Sequence, residues 1–234
     1  MNCMKQHNKM IHTFTSELLS KKQLTDNTHL FSFSCPEDFT FKAGQFVSIC
    51  FEIDGKKHMR SYSILNPPSQ KSKLDFVVQL IPGGTASKEF AKINIGDKFE
   101  MKGPFGHFTF VDNSDDNWFL ATGTGVAPMY SMIKENISNG KKFTLVFGVR
   151  FEENLFLHEE LLALAKKHEN FIYIPTLSQG VWDGAMGRFQ KHLPENLSAK
   201  TFYICGIKEV VLETKELLSS KGVTKEHIKF ERYS

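Results

Sequence analysis

Ala121-Thr122-Gly123-Thr124-Gly125-Val126-Ala127-Pro128 follows a short apolar run and opens a segment, residues 126–136, that can be a helix. Small residues at such a turn let backbone N–H groups approach a pyrophosphate closely. The helix N-terminus adds about half a positive charge at the same point. This is the logic of a dinucleotide site at the carboxyl end of a parallel strand. The spacing is not GxGxxG, so by itself the stretch leaves a plain strand–helix turn equally open.

Downstream, strand-like and helix-like segments alternate. Strands are expected at residues 118–121, 143–149, 171–175, 201–205 and 228–231, and helices at 126–136, 154–168 and 208–220. Such alternation predicts a parallel sheet covered by helices. Upstream, from residue 11 to about 111, the rhythm changes to short strand-like runs at 29–35, 45–53, 58–64, 74–81 and 98–102. Turn formers separate them: Asp54-Gly55, Asn66-Pro67-Pro68, Pro82-Gly83-Gly84 and Gly96-Asp97. One helix-like insert, residues 85–92, interrupts the series. Phe is abundant, with 22 residues, and pairs such as Phe31, Phe33 and Phe39, Phe41 alternate as half-buried strands do. A small antiparallel β-barrel is predicted here. Residues 111–117 read as a linker, which divides the chain into domains at 1–113 and 114–234.

The 234 residues suit two domains, and a net charge of +3 without an arginine-rich run argues against nucleic acid. The cysteines, Cys3, Cys35, Cys50 and Cys205, form no CxxC pair and offer neither a zinc nor an iron–sulfur ligand set. They read as reduced thiols. The nine histidines contain no HExxH pair, so no metal site is expected. The opening MNCMKQHNKMIHTF lacks the apolar core of a signal peptide, and no run approaches the ~20 apolar residues of a membrane span. A cytoplasmic protein is the expectation. The sequence does not fix its oligomeric state.

Two further stretches bear on chemistry. Arg60-Ser61-Tyr62-Ser63 closes a barrel strand: Arg offers a fork of donors to phosphate, and Tyr can stack on a flat ring. A strand with an exposed Arg and a packed Tyr has the same sequence. Gly83-Gly84-Thr85-Ala86-Ser87 puts glycine before a helix start, where amides and the Ser87 hydroxyl can hold a pyrophosphate. A plain turn is the alternative.

Taken in order along almost the whole chain, these stretches resemble the ferredoxin–NADP reductase superfamily of two-domain FAD/NAD(P) reductases. Phe41-Lys42-Ala43-Gly44-Gln45-Phe46 resembles a barrel strand of that family, and Arg60-Ser61-Tyr62-Ser63 its RxYS flavin motif. Gly84-Thr85-Ala86-Ser87 is similar to its GxxS pyrophosphate motif, and Gly103-Pro104-Phe105-Gly106 to its GPxG turn. Gly123 to Pro128 is similar to the nucleotide loop, Phe147-Gly148-Val149-Arg150 to the strand end near the adenosine ribose, and Cys205-Gly206 to the CG turn. Glu231-Arg232-Tyr233 resembles the acidic–x–aromatic terminus, although Ser234 follows.

The resemblance implies an FAD-dependent NAD(P)H oxidoreductase. Arg60 would contact the FAD pyrophosphate, with Gly84, Thr85, Ala86 and Ser87 as its clamp. Ser61 belongs to the same flavin motif, Tyr62 would pack on the flavin or its ribityl chain, and Ser63 would sit near flavin N5. Gly123, Thr124, Gly125, Val126, Ala127 and Pro128 would approach the nicotinamide dinucleotide, with Arg150 near its adenosine. Cys205 and Gly206 would lie beside the nicotinamide ring, and Tyr233 would cover the flavin face. Ser63, Cys205, Glu231 and Tyr233 form the expected catalytic set, though Cys205 also fits as a buried small hydrophobe and Tyr233 as an edge-strand aromatic. Glu152 and Glu153 follow Arg150, and Ser178-Gln179 lacks an Arg beside that Ser, which favours NADH over NADPH.

The acceptor implied is a small acidic electron-transfer protein, a ferredoxin or flavodoxin, or an oxygenase component. No fused ferredoxin cluster is present in the sequence. An NAD(P)H:flavin reductase that releases its product is the alternative, and a non-catalytic FAD-binding regulatory subunit a further one.

Overall fold

A computed structural model describes residues 11–233. Residues 1–10 of the opening stretch read for a leader, with Cys3 and His7, and the final Ser234 lie outside the described residues.

Six strands build the first sheet: β1 (His12–Gln23), β2 (Thr28–Ser34), β3 (Phe46–Ile53), β4 (Lys56–Ser63), β5 (Lys73–Gln79) and β6 (Lys98–Phe105). Their order is β4-β3-β6-β1-β2-β5, every pair antiparallel, in a half-barrel. Asp54-Gly55 makes the β3–β4 hairpin because both residues take positive φ, 51° and 71°, which matches the twist of a two-residue turn. Phe31, Phe33, Phe51 and Phe76 fill the interior. α1 (Thr85–Lys92) plugs it with Phe90, whose ring lies 4.7 Å from Phe31, 5.0 Å from Phe51 and 5.1 Å from Tyr62. β1 was not among the runs singled out from sequence. It buries only Ser16 and Leu18, so its pattern carries little hydrophobic signal.

The second sheet is wholly parallel, in the order β10-β9-β8-β7-β11-β12. Its strands are β7 (Asp116–Thr122), β8 (Lys142–Val149), β9 (Phe171–Leu177), β10 (Ala185–Met186), β11 (Lys200–Ile207) and β12 (Ile228–Tyr233). α2 (Val126–Asn136), α3 (His158–Lys167) and α4 (Lys208–Ser220) cover it. The helix expected over 154–168 is shorter. Leu157 takes a left-handed φ of 61°, and Glu152–Asn154 forms a separate 3-10 turn ahead of it. The α2 and α4 boundaries agree with the sequence expectation.

Barrel and sheet share a core. Leu65, Val77 and Phe108 of the first half pack in one cluster with Val126, Met129, Met132 and Tyr203 of the second. The Ser131 hydroxyl donates to the Asn66 carbonyl at 2.8 Å across this contact, in a buried setting. Among the described residues no helix is long and apolar enough to cross a membrane.

Phe90→Ala is expected to cost about 3–5 kcal/mol, because a fully buried ring leaves a cavity between three aromatic neighbours. Urea unfolding checks this; a loss below about 1 kcal/mol would mean that α1 does not plug the barrel.

Candidate functional site

The end of β4 presents two faces. Arg60 and Tyr62 are paired with Ile49 and Val47, which point into the barrel, so they share its inner face. Ser61 and Ser63 lie opposite Ser48 and Phe46 on the other face, and the Ser48 and Ser61 hydroxyls are 3.1 Å apart. Arg60 is exposed, and its Nη1 donates to the Met59 carbonyl at 3.0 Å. In the structure it is therefore not drawn into the cluster that Ser63 joins.

α1 opens without a side-chain cap and with no acidic residue in its first turn. Its N-terminal N–H groups are open to an anion. The Ser87 hydroxyl oxygen accepts from the Ile81 N–H at 2.8 Å, which closes the turn before the helix and leaves its O–H to donate. At the other end, Lys21 Nζ donates to the Phe90 and Ala91 carbonyls at 3.2 and 3.4 Å. A cation there complements the helix dipole and leaves the opposite end free.

In the second half, β7 runs into a 3-10 turn, Gly123–Gly125, and then α2. Neither turn nor helix has a side-chain cap. Two glycines allow this turn to touch the end of β11. A Cβ on Gly125 would lie 2.5 Å from the Cys205 carbonyl oxygen, and one on Gly206, at φ +154°, would lie 2.0 Å from Thr122 Oγ1. Thr122 Oγ1 is buried without a hydrogen-bond partner. An orphaned hydroxyl, small residues and uncapped amides at the carboxyl end of a parallel strand suit a dinucleotide. With the open N-terminus of α1, the residues present fit FAD and a nicotinamide dinucleotide.

Ser63, Cys205, Glu231 and Tyr233 come together where the two halves meet. The Tyr233 hydroxyl donates to Ser63 Oγ at 2.7 Å, and Ser63 Oγ donates to Glu231 Oε1 at 3.3 Å. Cys205 is 0% exposed and lies opposite Glu231 in the β11–β12 register. Burial pushes the Glu231 carboxyl up to about 7, held back by the Ser63 hydroxyl. Burial, then Glu231, push the Cys205 thiol far above its usual range, and burial raises the Tyr233 phenol as well. Thiol and phenol therefore stay neutral, and Glu231 is the one group of the four that titrates near neutrality.

Arg150 lies exposed just beyond β8, where its carbonyl accepts from the Gln179 N–H at 2.9 Å. Glu152 and Glu153 sit exposed in the next turn. Val126, Ala127 and Pro128 are buried in the first turn of α2, so their side chains pack while Gly123 and Thr124 stay partly open. Gln45 belongs to the Phe41–Phe46 stretch. Its Nε2 donates to the Gly106 carbonyl at 3.1 Å and its carbonyl accepts from the Ile64 N–H at 3.0 Å, which ties the GPFG turn to the residue after Ser63. Lys21 carried no sequence signal, since its partners are about seventy positions away. Among the described residues no group of three or more His, Cys, Asp or Glu could hold a metal ion.

Residues 15–110 match the oxidoreductase FAD-binding domain family, and residues 119–216 the oxidoreductase NAD-binding domain family. The chain is 32% identical to ferredoxin–NADP reductase B of Sorangium cellulosum, over 94% of this chain and 97% of that protein. It is 30% identical to NADH-cytochrome b5 reductase 1 of Kluyveromyces lactis, over 89% of this chain and 80% of the relative. Among solved structures, a ferredoxin NADP+ reductase from Neisseria gonorrhoeae with bound FAD and NADP superposes with a TM-score of 0.86 at 25% identity, over 94% of this chain and 98% of that one. With both domain families matched in order and a full-length relative above 30% identity, the chain is an FAD- and NAD(P)-dependent oxidoreductase that belongs to the ferredoxin–NADP reductase superfamily.

Proposed function

We propose that this chain oxidises a reduced nicotinamide dinucleotide at bound FAD and hands the electrons to a separate small redox protein, a ferredoxin in the first instance. The observation that carries the reading is the meeting of Ser63 from the barrel with Cys205, Glu231 and Tyr233 from the sheet. The likeness to a ferredoxin–NADP reductase along nearly its whole length supports that acceptor; a flavodoxin or an oxygenase component would make the same demand.

The residue roles follow from position. Arg60 and the amides of Thr85, Ala86 and Ser87, set by the Gly84 turn whose own N–H donates to the Ile81 carbonyl at 3.0 Å, would hold the FAD pyrophosphate, with Ser61 and Tyr62 along the flavin and its ribityl chain. Thr122 and the loop Gly123 to Pro128 would hold the nicotinamide dinucleotide, with Arg150 toward its adenosine and Gly206 giving room beside the ring. When bound, FAD supplies the redox chemistry, accepting a hydride equivalent and releasing electrons onward. The protein would orient the two groups and keep water out. Cys205 would contribute a dry, neutral wall, and Tyr233 would supply an aromatic ring to the flavin site. Ser63, between Tyr233 and Glu231, links a phenol to a carboxylate that can take or give a proton at Oε1 near pH 7. Glu152 and Glu153 beside Arg150 would repel a 2′-phosphate, which favours NADH.

Anaerobic visible spectra of the purified protein, before and after NADH and NADPH, test the function. Flavin bands that bleach faster with NADH are expected. A colourless protein that reduces only added flavin would favour a released product, and bands that bleach with neither nucleotide would overturn the reading. Arg60→Ala should lower FAD retention on gel filtration about tenfold, the worth of a charge-assisted hydrogen bond; full occupancy in the variant would remove Arg60 from that role. The folded Glu231 carboxyl holds its proton up to about 7, against 4.5 ordinarily, so its contribution to stability falls as pH rises through that window. Wild-type flavin reduction should change with a midpoint near that value, and Glu231→Gln should flatten both profiles. A variant with the wild-type pH dependence would exclude Glu231 as the titrating group.

A further inference from the structure

Tyr203 stands two residues before Cys205 on β11 and is fully buried. Its hydroxyl makes two hydrogen bonds to one residue: it accepts from the Val111 N–H at 3.0 Å and donates to the Val111 carbonyl at 3.2 Å. Val111 lies in the single connection between the two sheets, after β6 ends at Phe105 and before β7 begins at Asp116. The Tyr203 ring is stacked on Phe119 at 4.7 Å and on Phe110 at 5.9 Å, so the hydroxyl has little freedom to leave. Burial pushes its phenol up to about 12, so it stays protonated and keeps its donor.

Residues 201, 203 and 205 share one face of β11, because strand side chains alternate. All three meet structure important here. The Thr201 hydroxyl donates to Asn113 Oδ1 at 2.9 Å, Tyr203 grips Val111, and Cys205 lies at the site. From Val111 the path back to the barrel is short and rigid. Phe108, three residues earlier, has its carbonyl where a Cβ on Gly44 would collide at 2.1 Å, and Gly44 is followed by Gln45, which bonds Ile64 beside Ser63.

We propose that Tyr203 is a positioning residue: its hydroxyl clamps the linker at Val111 and so sets how the barrel edge carrying Ser63 meets the strand carrying Cys205. This rests on the proposed meeting of flavin and nicotinamide at that edge. A loosened clamp lets the two halves shift by fractions of an ångström, which hydride transfer feels strongly and nucleotide binding to the sheet alone does not.

Tyr203→Phe keeps the stacked ring and its volume and removes both hydrogen bonds. Stopped-flow flavin reduction at saturating NADH should slow at least fivefold, while the KM for NADH stays within twofold and the FAD content equals that of the wild type. A purely structural role would lower the melting temperature and leave the saturated rate unchanged, and that result would overturn the proposal. Asn113→Ala, at an exposed linker position, loosens the neighbouring grip without touching the core; the same rate should fall about twofold, and an unchanged rate there, should Tyr203→Phe fail to fold, would equally overturn it. Wild-type protein whose flavin is not reduced by NADH or NADPH would sink the functional reading and this inference together, whereas a reducible wild type with an unaffected Tyr203→Phe sinks only the inference.

Discussion

The Ser63 hydroxyl is one of the contacts that join two separately built layers. Ser63 ends the outermost strand of the antiparallel half-barrel, and its partners Glu231 and Tyr233 lie 168 and 170 positions later on the outermost strand of the parallel sheet. Neither layer needs the other for its own backbone hydrogen bonds. The contact therefore depends on how the two are held, by the shared core around Leu65, Val77 and Val126, by Ser131 on Asn66, and by the linker. The meeting of these side chains is a product of packing between the two halves.

Each layer makes a different electrostatic offer. The barrel brings an uncapped helix start, with Lys21 on the far end of α1 so that the near end stays free for an anion. The sheet brings the carboxyl ends of β7 and β11, which approach each other so closely that only glycine is possible at 125 and 206. The remaining protic groups are mostly kept neutral by burial. Of the four groups that meet at Ser63, Glu231 is the one poised to change charge near neutral pH, and Ser63 is the group that stabilises its charged form.

Much of the fold was legible because local chemistry and tertiary placement agreed. Asp54-Gly55 made the hairpin its positive-φ preference predicts, and the helices over 85–92, 126–136 and 208–220 stand at the expected boundaries. Where they disagreed, the sequence misled. β1 is held by two strand partners while showing little apolar alternation, and α3 is shortened by a left-handed Leu157 that no glycine or proline announces. The site divided the same way. That Ser63, Cys205, Glu231 and Tyr233 would lie at one site was implied by the resemblance, whereas the contacts of Gln45, Lys21 and Tyr203 run over long separations that no local pattern encodes.

The buried thiol has a chemical corollary. Thiolate is the form that attacks electrophiles and peroxide, and at Cys205 burial and the adjacent carboxylate suppress it. Where oxygen is present, electron-handling surfaces meet reactive by-products, and sulfur oxidation is an irreversible hazard beyond its first steps. Cys205, fully buried and held as a protonated thiol, is shielded from that chemistry.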